Sequence, residues 1–477
     1  MLASALTILA LAVAPVPTGT SSLDRAVTQR IDSSLVGAGG RSPKSGISVA
    51  IVRNGRIVYL KGFGLRDRGT PEQYAEGDDY YGLGERRGHF SPAPADGATV
   101  YAIGSVAKQF VAVAVLQMIA DGRLRLDDPA ARYLPALARL GTITIRELLT
   151  QRAGLIEYNS ADFIGRFHHR ASSANGIAWP TVLQAVAAAG VEFTPGSRFA
   201  YSNTDYLALG LIVERVSGKP LGDYLRDRFF EPLGMAHTFY VAPPLGTADV
   251  AVGYTDQAGA VVRAHPWDMR WLAGAGGFWS TAGDLARWEI ALWAGRVIPA
   301  DAFAAMIAPD GRNLGPFDAP YGMGFVVDRV AGRTEAWQNG EVGGFHTMLA
   351  TIPSTRTAVV VLQNLETARP ESLAAGILAA IAPEIGWRAY LPQSIVRGLL
   401  VSFAFALGGV VAVALAAFRL RRLPGLASVL APIGFFAGMS GPAIGGYAGG
   451  AALALAPSIL YVVVVLIRGR SATIDQG

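Results

Sequence analysis

The alternation of apolar and polar residues predicts a mixed α and β domain that extends to about residue 392. Two β-rich runs between residues 46 and 64 flank Asn54-Gly55, a pair that favours the type I′ turn of a β-hairpin. Shorter strand-like runs return at residues 321–330, 348–352 and 358–362. Residues 65–97, with several Gly and Pro, are predicted to form a loop or an insertion.

Helical spacing of apolar residues begins near residue 105. Residues 110–119 are apolar on nearly every side, interrupted only by Gln117, which predicts a buried helix ending near Asp121-Gly122. An alanine-rich, mostly helical region is predicted to follow up to about Gly190. The spacing in residues 373–381 predicts a helix that packs against a sheet.

Beyond residue 397 the chain changes to a pattern typical of a membrane segment. Residues 398–418 contain no charged side chain and match the roughly 20 residues that a helix needs to cross a bilayer. A second charge-free stretch, residues 423–467, is too long for one helix and has a natural break at Ser440-Gly441-Pro442. Three spans are therefore predicted, at residues 398–418, 424–440 and 445–467, followed by a tail of residues 468–477.

The N-terminal segment predicts the direction of these spans. Residues 2–14 are apolar but short for a span, and Ala12-Val13-Ala14 has the small-residue spacing of a signal-peptidase site. Residues 1–20 are therefore predicted to be a signal peptide, which places residues 21–392 outside the cytoplasm. The arginines at 419–422 and 468–470 then face the cytoplasm, in agreement with the positive-inside rule.

Composition limits the chemistry that this chain can perform. The absence of cysteine excludes disulfides, thiolate metal sites and a cysteine nucleophile. The formal net charge of +5 does not indicate nucleic-acid binding, and the uncharged spans indicate an anchor in the lipid bilayer with no ion pathway. His168-His169 lacks a third ligand at helical spacing, so neither a metal nor another cofactor is predicted. Protein partners cannot be inferred from these residues.

One lysine in the apolar helix is chemically unusual. Only four of the 41 basic residues are lysines, and arginine, unlike a buried lysine, cannot give up its proton to become a base. Lys108 follows Ser105 by three residues, so the two side chains share one helical face and can approach hydrogen-bonding distance. Ser105 is a candidate nucleophile and Lys108 a candidate base. The alternative is a chance tetrapeptide whose lysine extends to solvent.

A second polar cluster precedes another apolar helix, within residues 193–214. Tyrosine can take or relay a proton if nearby cations lower its pKa, and asparagine can orient a substrate amide. Tyr201 and Asn203 are therefore candidate site residues. The alternative is a turn in which Tyr201 belongs to the core and Asn203 caps the helix.

Together these segments resemble the serine β-lactamase and penicillin-binding-protein superfamily, and most closely its class C β-lactamase and esterase-like branch, which pairs Ser-x-x-Lys with Tyr-x-Asn. The resemblance covers about residues 25–385 and is carried further by residues 61–64, 121–135, 143–155, 231–235 and 276–285. It implies an α+β fold. This fold is an α/β sandwich in which helices flank an antiparallel sheet, with an added helical subdomain.

The third motif of the superfamily, usually Lys-Thr-Gly or His-x-Gly, falls on Gln338-Asn339-Gly340. In relatives its first position helps to hold a substrate carboxylate and to tune the tyrosine. Gln338 offers hydrogen bonds without a charge, so recognition of a carboxylate is expected to weaken by roughly 1 to 3 kcal/mol. Gln151 and Ala153 are smaller departures, at positions where relatives often carry His and Ser.

The resemblance implies acyl transfer through a covalent ester on Ser105, with Lys108 and Tyr201 sharing the proton transfers. It also implies an oxyanion hole formed by the backbone N–H groups of Ser105 and Glu341. The implied substrate-binding residues are Asn203, Gln338, Gly340 and Glu341.

These expectations favour a membrane-anchored serine hydrolase that acts outside the cytoplasm on a small-molecule ester or peptide-like amide. The neutral third motif favours neutral esters or lipidic acyl groups over D-alanyl peptides and β-lactams. One alternative is a D-Ala-D-Ala carboxypeptidase or a β-lactamase. An alternative of another class is a sensor or pseudoenzyme that signals through the spans, although little cytoplasmic sequence is predicted to carry such a signal.

Overall fold

The computed structural model describes residues 23–39, 45–69, 92–158, 172–173, 176–264, 267–309, 320–330 and 332–382, all within one compact unit. The predicted signal peptide, the three predicted spans, the tail and His168-His169 lie outside the described residues. Within these ranges, no helix combines the length and the apolar character needed to cross a bilayer.

Short and long strands alternate with helices along the chain. The strands are β1 Ile47–Arg53, β2 Arg56–Phe63, β3 Leu65–Asp67, β4 Ala93–Pro94, β5 Tyr101–Ala102, β6 Ser172–Ser173, β7 Gly176–Ile177, β8 Phe239–Tyr240, β9 Tyr254–Gln257, β10 Ala260–Arg263, β11 Phe278–Ser280, β12 Val326–Val330, β13 Arg333–Val342, β14 Phe345–Ile352 and β15 Thr357–Gln363. The helices are α1 Arg25–Gly39, α2 Lys108–Ala120, α3 Ile145–Leu149, α4 Trp179–Ala189, α5 Asn203–Ser217, α6 Leu221–Leu225, α7 Glu231–Leu233, α8 Ala273–Gly276, α9 Ala282–Trp293, α10 Ala300–Met306 and α11 Pro370–Ile381. Short 3-10 turns occur at Gly104–Ala107, Ala130–Arg132, Pro135–Leu140, Met269–Leu272 and Pro353–Thr355, and a π-helical turn at Arg226–Phe230.

A six-stranded antiparallel sheet, in the order β12-β13-β14-β15-β1-β2, is the frame of this structure. The predicted hairpin is confirmed, because β1 pairs with β2 and the turn residues Asn54 and Gly55 have φ of 51° and 72°. Two positive φ values in succession are what a type I′ turn requires. Strand β15 lies between β14 and β1, so the C-terminal part of the domain forms strand pairs with its N-terminal part.

Both faces of the sheet are covered, and adjacent residues of one strand therefore enter different cores. In β1, Val49 and Ile51 pack with α1 and α11, whereas Ala50 and Val52 join the core that contains α2 and α9. Every residue of β14 and β15 is buried, as is usual for strands covered on both faces. Helices on both faces of an antiparallel sheet, with further helices beside it, confirm the predicted α+β class.

The helices that adjoin the site have identifiable reasons to begin and end where they do. Ser202 caps the N-terminus of α5 by accepting a hydrogen bond from Thr204 N, and Gly218 ends this helix in a left-handed conformation with φ 73°. Helices α5 and α8 meet at glycines, since a Cβ added to Gly274 would lie 2.7 Å from Tyr206 O. This close approach places the backbone of α8 beside α5.

Several predicted elements differ in extent, and others, among them strand β13 and helices α1 and α9, were not predicted. The strand expected at residues 321–330 is limited to Val326–Val330, and the helix expected from residue 105 begins at Lys108, after a 3-10 turn. The helices near residues 110–119 and 373–381 are confirmed. Strand β13 and helix α1 were not predicted, because their polar residues hide the apolar spacing.

Candidate active site

Ser105 lies in the 3-10 turn that connects β5 to α2. It is the one residue of this turn that is not fully buried. In a 3-10 turn, residues three apart eclipse each other, which aligns Ser105 with Lys108 more closely than an α-helix would. Gly104 has φ +51°, and a Cβ on it would lie 2.9 Å from Glu341 N. Glycine at this position therefore allows the turn to pack directly against β13.

The Lys108 side chain is completely buried and is held by three acceptors. Its Nζ donates to Ser105 Oγ at 3.0 Å, to Asn203 Oδ1 at 2.7 Å and to the backbone oxygen of Ala275 at 2.6 Å. Burial lowers the pKa of Lys108 to about 7, against the opposing effect of the Glu157 and Asp205 carboxyls. The predicted proximity of Ser105 and Lys108 is present, and the solvent-exposed alternative does not hold.

The contacts of Lys108 determine where its lone pair points once it loses a proton. Two of its three acceptors, the Asn203 amide oxygen and the Ala275 carbonyl, have no hydrogen to donate. Each must keep an N–H from the neutral amine. The remaining position faces Ser105 Oγ, whose hydroxyl can donate to the amine. The arrangement can therefore accept a proton from Ser105.

Tyr201 stands over the Lys108 amine at the entrance of α5. Its ring centroid lies 4.8 Å from Lys108 Nζ, and its hydroxyl interacts with the side chains of Ser105 and Gln338. The residue is 43% exposed, which excludes the alternative of a core tyrosine. Burial of the hydroxyl and the neighbouring Tyr321 raise the pKa of Tyr201 well above its usual value. The pKa is raised although the Lys108 amine lies nearby, so Tyr201 is a phenol that can relay a proton.

Asn203 is the first residue of α5, and Ser202, not Asn203, is the N-cap. The Asn203 backbone N–H donates to Glu157 Oε2 at 2.7 Å while its side-chain oxygen binds Lys108. Glu157 was not a predicted site residue. It lies just after the segment 143–155 that carries the family resemblance. The residues around Glu157 contain no pattern that predicts its contact with Asn203, which follows 46 positions later in the chain.

Gln151, one of the two smaller departures, supports this wall of the site. It is fully buried with φ 58°, its side-chain oxygen accepts from Ser202 N, and its backbone oxygen accepts from Ala200 N at 3.0 Å. Gln151 therefore accepts a hydrogen bond from each of the two residues that flank Tyr201. Ala153, the other departure, is buried.

The predicted residues of the third motif lie on β13, opposite the nucleophile turn. Gln338 is only 2% exposed, and its Nε2 donates to Asn339 O at 2.9 Å. Its Oε1 is buried and has no hydrogen-bond partner among the residues that the structure describes. A Cβ on Gly340 would lie 2.0 Å from Ile103 O, so only glycine allows β13 to approach the chain before Ser105.

A cavity of about 130 Å³ opens beside Ser105. It brings together three of the predicted residues, Ser105, Asn203 and Glu341, while Lys108, Tyr201, Gln338 and Gly340 are not among its lining residues. The lining residues are Gly104, Ser105, Asn203, Trp267, Leu272, Ala275, Gly276, Glu341, Val342, Gly343 and Glu366. In the described ranges, no group of three or more His, Asp or Glu is arranged to hold a metal ion.

The sequence relatives and the solved structures that resemble this chain indicate one family. The family model described as Beta-lactamase matches residues 23–382. The Bacillus subtilis (strain 168) protein named "Putative penicillin-binding protein PbpX" is 28% identical over 320 residues, covering 66% of this chain and 70% of that protein. "Protein flp" of Staphylococcus aureus (strain MW2) is 25% identical over 67% of this chain, which spans 59% of flp, less than two thirds of its length.

Solved structures share the fold described above. The octameric penicillin-binding protein homologue from Pyrococcus abyssi is 26% identical, with a TM-score of 0.61 and coverage of 75% of this chain and 77% of that chain. The D-amino acid amidase from Ochrobactrum anthropi SV3, complexed with L-phenylalanine amide, has a TM-score of 0.61 at 23% identity, over 75% and 99% of the two chains. At that identity the likeness shows the fold alone. The family match over most of the chain, joined to this fold, means that the protein belongs to the Beta-lactamase family and is a serine hydrolase of the β-lactamase and penicillin-binding-protein type.

Proposed function

We propose that this protein is a membrane-anchored hydrolase that cleaves an amide or ester outside the cytoplasm through an acyl intermediate on Ser105. The observation that carries the proposal is the environment of Lys108. Its amine has a pKa near 7, lies 3.0 Å from Ser105 Oγ, and has its other contacts fixed by two carbonyl-type acceptors. A base with a pKa near the working pH is the most effective proton acceptor for a serine hydroxyl.

In the proposed first half-reaction, Ser105 Oγ forms a bond to the substrate carbonyl carbon while its proton moves to Lys108 Nζ. The oxygen of the tetrahedral intermediate accepts hydrogen bonds from the backbone N–H groups of Ser105 and Glu341. One such donor is typically worth about 3 to 4 kcal/mol. As the bond to the leaving group breaks, the proton returns to the leaving nitrogen or oxygen, relayed by the Tyr201 hydroxyl.

The second half-reaction reverses these roles. Water attacks the acyl carbon, its proton moves to Lys108 with Tyr201 as relay, and Ser105 Oγ leaves with that proton. Asn203 has its side-chain oxygen bound to Lys108, so we assign it to holding the amine as well as to orienting the substrate amide. Gly340 contributes by allowing β13 to lie close to Ser105.

Amide substrates are supported by the proteins that share this fold. They include the D-amino acid amidase named above and a D-stereospecific amidohydrolase from Streptomyces sp., whose structure is 24% identical to this chain with a TM-score of 0.57. Hydrolysis of a D-Ala-D-Ala peptide or a β-lactam is a second candidate, supported by the likeness to the Pyrococcus abyssi penicillin-binding protein homologue. Cleavage of nitrocefin or of a muramyl pentapeptide would favour that candidate.

The membrane part of the proposal is supported by sequence alone. The charge-free stretches after residue 397, the arginines that flank them and the apolar residues 2–14 indicate a signal peptide at 1–20, a catalytic domain at 21–392, three spans within 398–467 and a cytoplasmic tail at 468–477. Protease treatment of spheroplasts, in which the outer face of the cytoplasmic membrane is accessible, would test it. Digestion of the catalytic domain from outside is the expected result, and protection until the cells are lysed would contradict it.

The enzymatic part is tested with a fluorophosphonate, which phosphonylates an activated serine with loss of fluoride. The full-length chain should gain the mass of one phosphonyl group, and Ser105→Ala should gain none. A folded chain that is not labelled would contradict the proposed intermediate.

A further inference from the structure

Strand β13 carries the third motif and presents alternate residues to opposite faces of the sheet. On the face toward the nucleophile turn, a Cβ on Gly340 would lie 2.0 Å from Ile103 O, and the backbone N of Glu341 would lie 2.9 Å from a Cβ on Gly104. The side chain of Asn339 is on the other face, where it bonds to helix α11. The backbone that faces Ser105 therefore has a second side, which is turned away from the cavity.

The end of β13 is joined to β14 by a turn that does little to fix it. This turn consists of Gly343 and Gly344, with φ of 45° and 87°. Glycine has the widest backbone freedom of any residue, so a Gly-Gly turn does not by itself hold the strands at one position. Glu341 and Gly343 line the cavity beside Ser105. This wall of the cavity consequently depends on contacts made outside the turn.

One carboxylate oxygen on the far face bonds to both strands. Glu371 Oε1, in the first turn of α11, accepts from Asn339 Nδ2 at 3.1 Å and from His346 Nε2 at 2.8 Å. Asn339 belongs to β13, and His346 belongs to β14, where it pairs directly with Glu341. The side chains of His346 and Glu371 are only 1% and 21% exposed, so water competes little for these bonds. We call Glu371, His346 and Asn339 the rear brace.

The rear brace is held by a charge. Burial raises the pKa of Glu371, but the hydrogen bond and charge of His346, together with the bond from Asn339, bring it below its usual value. Glu371 is therefore a carboxylate, and hydrogen bonds to a charged acceptor are stronger than neutral ones. A neutral imidazole can keep its hydrogen on Nε2, so the bond from His346 does not require the ring to be charged.

We propose that Glu371 is a positioning residue for the oxyanion hole. It holds Asn339 and His346 together from the face turned away from the cavity, and so fixes the end of the hairpin that carries the Glu341 N–H. Donors to an oxyanion are effective only when they are in place before its charge develops. This inference rests on the proposed acyl-Ser105 mechanism, and it adds to that mechanism a residue that does not touch the substrate.

Phosphonylation of Ser105 tests this geometry without a known substrate. In the reaction with a fluorophosphonate, Ser105 Oγ bonds to phosphorus, fluoride leaves, and the Oγ proton moves to Lys108. The phosphoryl oxygen then occupies the oxyanion hole. Two measurements therefore report on the hole in the full-length protein. They are the rate of labelling, followed by intact mass, and the phosphorus NMR chemical shift of the labelled protein.

Glu371→Gln keeps the size of the side chain and removes its charge. Loss of a whole oxyanion donor costs about 10² to 10³-fold in rate, so a donor that is only loosened should slow labelling by about tenfold. The phosphorus shift should move toward that of the labelled, denatured protein. His346→Gln is the conservative variant, because its amide can still donate to Glu371, and it should keep most of the rate. His346→Leu has no donor and should be as slow as Glu371→Gln.

Glu335→Gln is the matched control. Glu335 is another buried glutamate of β13, at the end of the strand away from the cavity, and its substitution should leave the rate and the phosphorus shift unchanged. Unfolding free energy, measured on each variant, identifies a merely structural role. A Glu371→Gln protein that is less stable but has the rate and the phosphorus shift of the unmodified protein would overturn this inference alone, as would equal slowing by Glu335→Gln. Absence of labelling in the unmodified protein would overturn the mechanism as well.

Discussion

The two walls of the active site differ in how completely their polar groups are paired. On the helical wall, Lys108 has three acceptors, Asn203 uses both its side-chain oxygen and its backbone N–H, and Gln151 holds the chain on each side of Tyr201. On the strand wall, Gln338 Oε1 has no partner in the described residues, and Glu341, an exposed residue, lines the cavity. The first wall is organised before a substrate arrives, and the second keeps groups available for one.

Burial explains this difference. A fully buried amine loses its hydration, so each of its hydrogens needs a fixed protein acceptor. Carboxylates at the edge of a cavity stay hydrated and need no such partner. The proton-transfer groups are consequently rigid, while the groups that contact the substrate can exchange water for ligand at small cost.

Removal of the nucleophile is expected to have the largest effect. Ser105→Ala should reduce kcat by about 10⁴-fold or more, because nothing else in the site can form the acyl bond. Its melting temperature should stay close to that of the unmodified protein, which is the control for folding. Turnover by Ser105→Ala within tenfold of the unmodified protein would place the chemistry elsewhere.

Removal of the buried amine tests the helical wall directly. Lys108→Met keeps the length of the side chain but cannot take a proton, so kcat should fall by about 10² to 10⁴-fold. Unfolding free energy should change by less than about 2 kcal/mol, since the relief of a costly buried amine is offset by the loss of the donor to Asn203 Oδ1 and Ala275 O. Lys61→Met is the control, because Lys61 is 44% exposed at its side chain and pairs with Asp32. Equal losses in the two variants would contradict the role of Lys108.

A substitution on the strand wall tests the close approach of β13 to the nucleophile turn. In Gly340→Ala the new Cβ would lie 2.0 Å from Ile103 O, so the strand must shift and unfolding free energy should fall by about 1 to 3 kcal/mol or more. Gly376→Ala is the matched control. Its Cβ meets nothing within 4 Å in helix α11, and helix propensity should stabilise it by about 0.5 to 1 kcal/mol. Chemical denaturation of both variants gives these values.

The pH profile tests the charges around Lys108. Its free amine forms as pH rises through about 7, so kcat/KM should rise across that range. Glu157 is the first carboxyl that raises this pKa, so Glu157→Gln should lower it and move the rise to lower pH. Glu192→Gln is an exposed control that is not among the groups acting on Lys108 and should leave the profile in place. A rise of kcat/KM that moves to higher pH in Glu157→Gln would contradict the effect assigned to Glu157 on the pKa of Lys108.

The same pKa has a consequence for stability. In the unfolded chain Lys108 titrates near 10.5, so between about pH 7 and 10.5 the unfolded state binds the extra proton. The contribution of Lys108 therefore favours folding increasingly as pH rises through this window, and below pH 7 its burial is most unfavourable. Lys108→Met should remove this pH dependence from denaturation curves.

The smallest effect expected is a change of charge preference on the strand wall. Gln338→His supplies a titratable cation, and a substrate that carries a carboxylate should gain about tenfold in kcat/KM at pH 6 relative to pH 8, where the imidazole is mostly neutral. A gain that is independent of pH would show that charge is not the reason.

Local patterns were sufficient to predict part of this molecule. The Asn54-Gly55 hairpin and the buried helix α2 depend on neighbouring residues, and the contact of Ser105 with Lys108 depends on a spacing of three. Strand β13 was not predicted, since its polar sequence contains no apolar run to mark it.

Contacts between distant segments could not be predicted from one sequence. Ala275 O has no side-chain signature, because every residue carries a carbonyl, and it reaches Lys108 only where α8 packs on α5. Glu366 enters the cavity from the segment after β15, which no motif identifies. The lining of the cavity follows only from the placement of these segments together.

The most direct test of the account is the pH dependence of fluorophosphonate labelling at Ser105, followed by intact mass in the full-length protein. The labelling rate should rise through about pH 7 and then level off, with Lys108→Met slow at every pH and Ser105→Ala unlabelled. A rate that does not change between pH 5 and pH 9, or labelling of Lys108→Met at the rate of the unmodified protein, would contradict the assignment of Lys108 as the base.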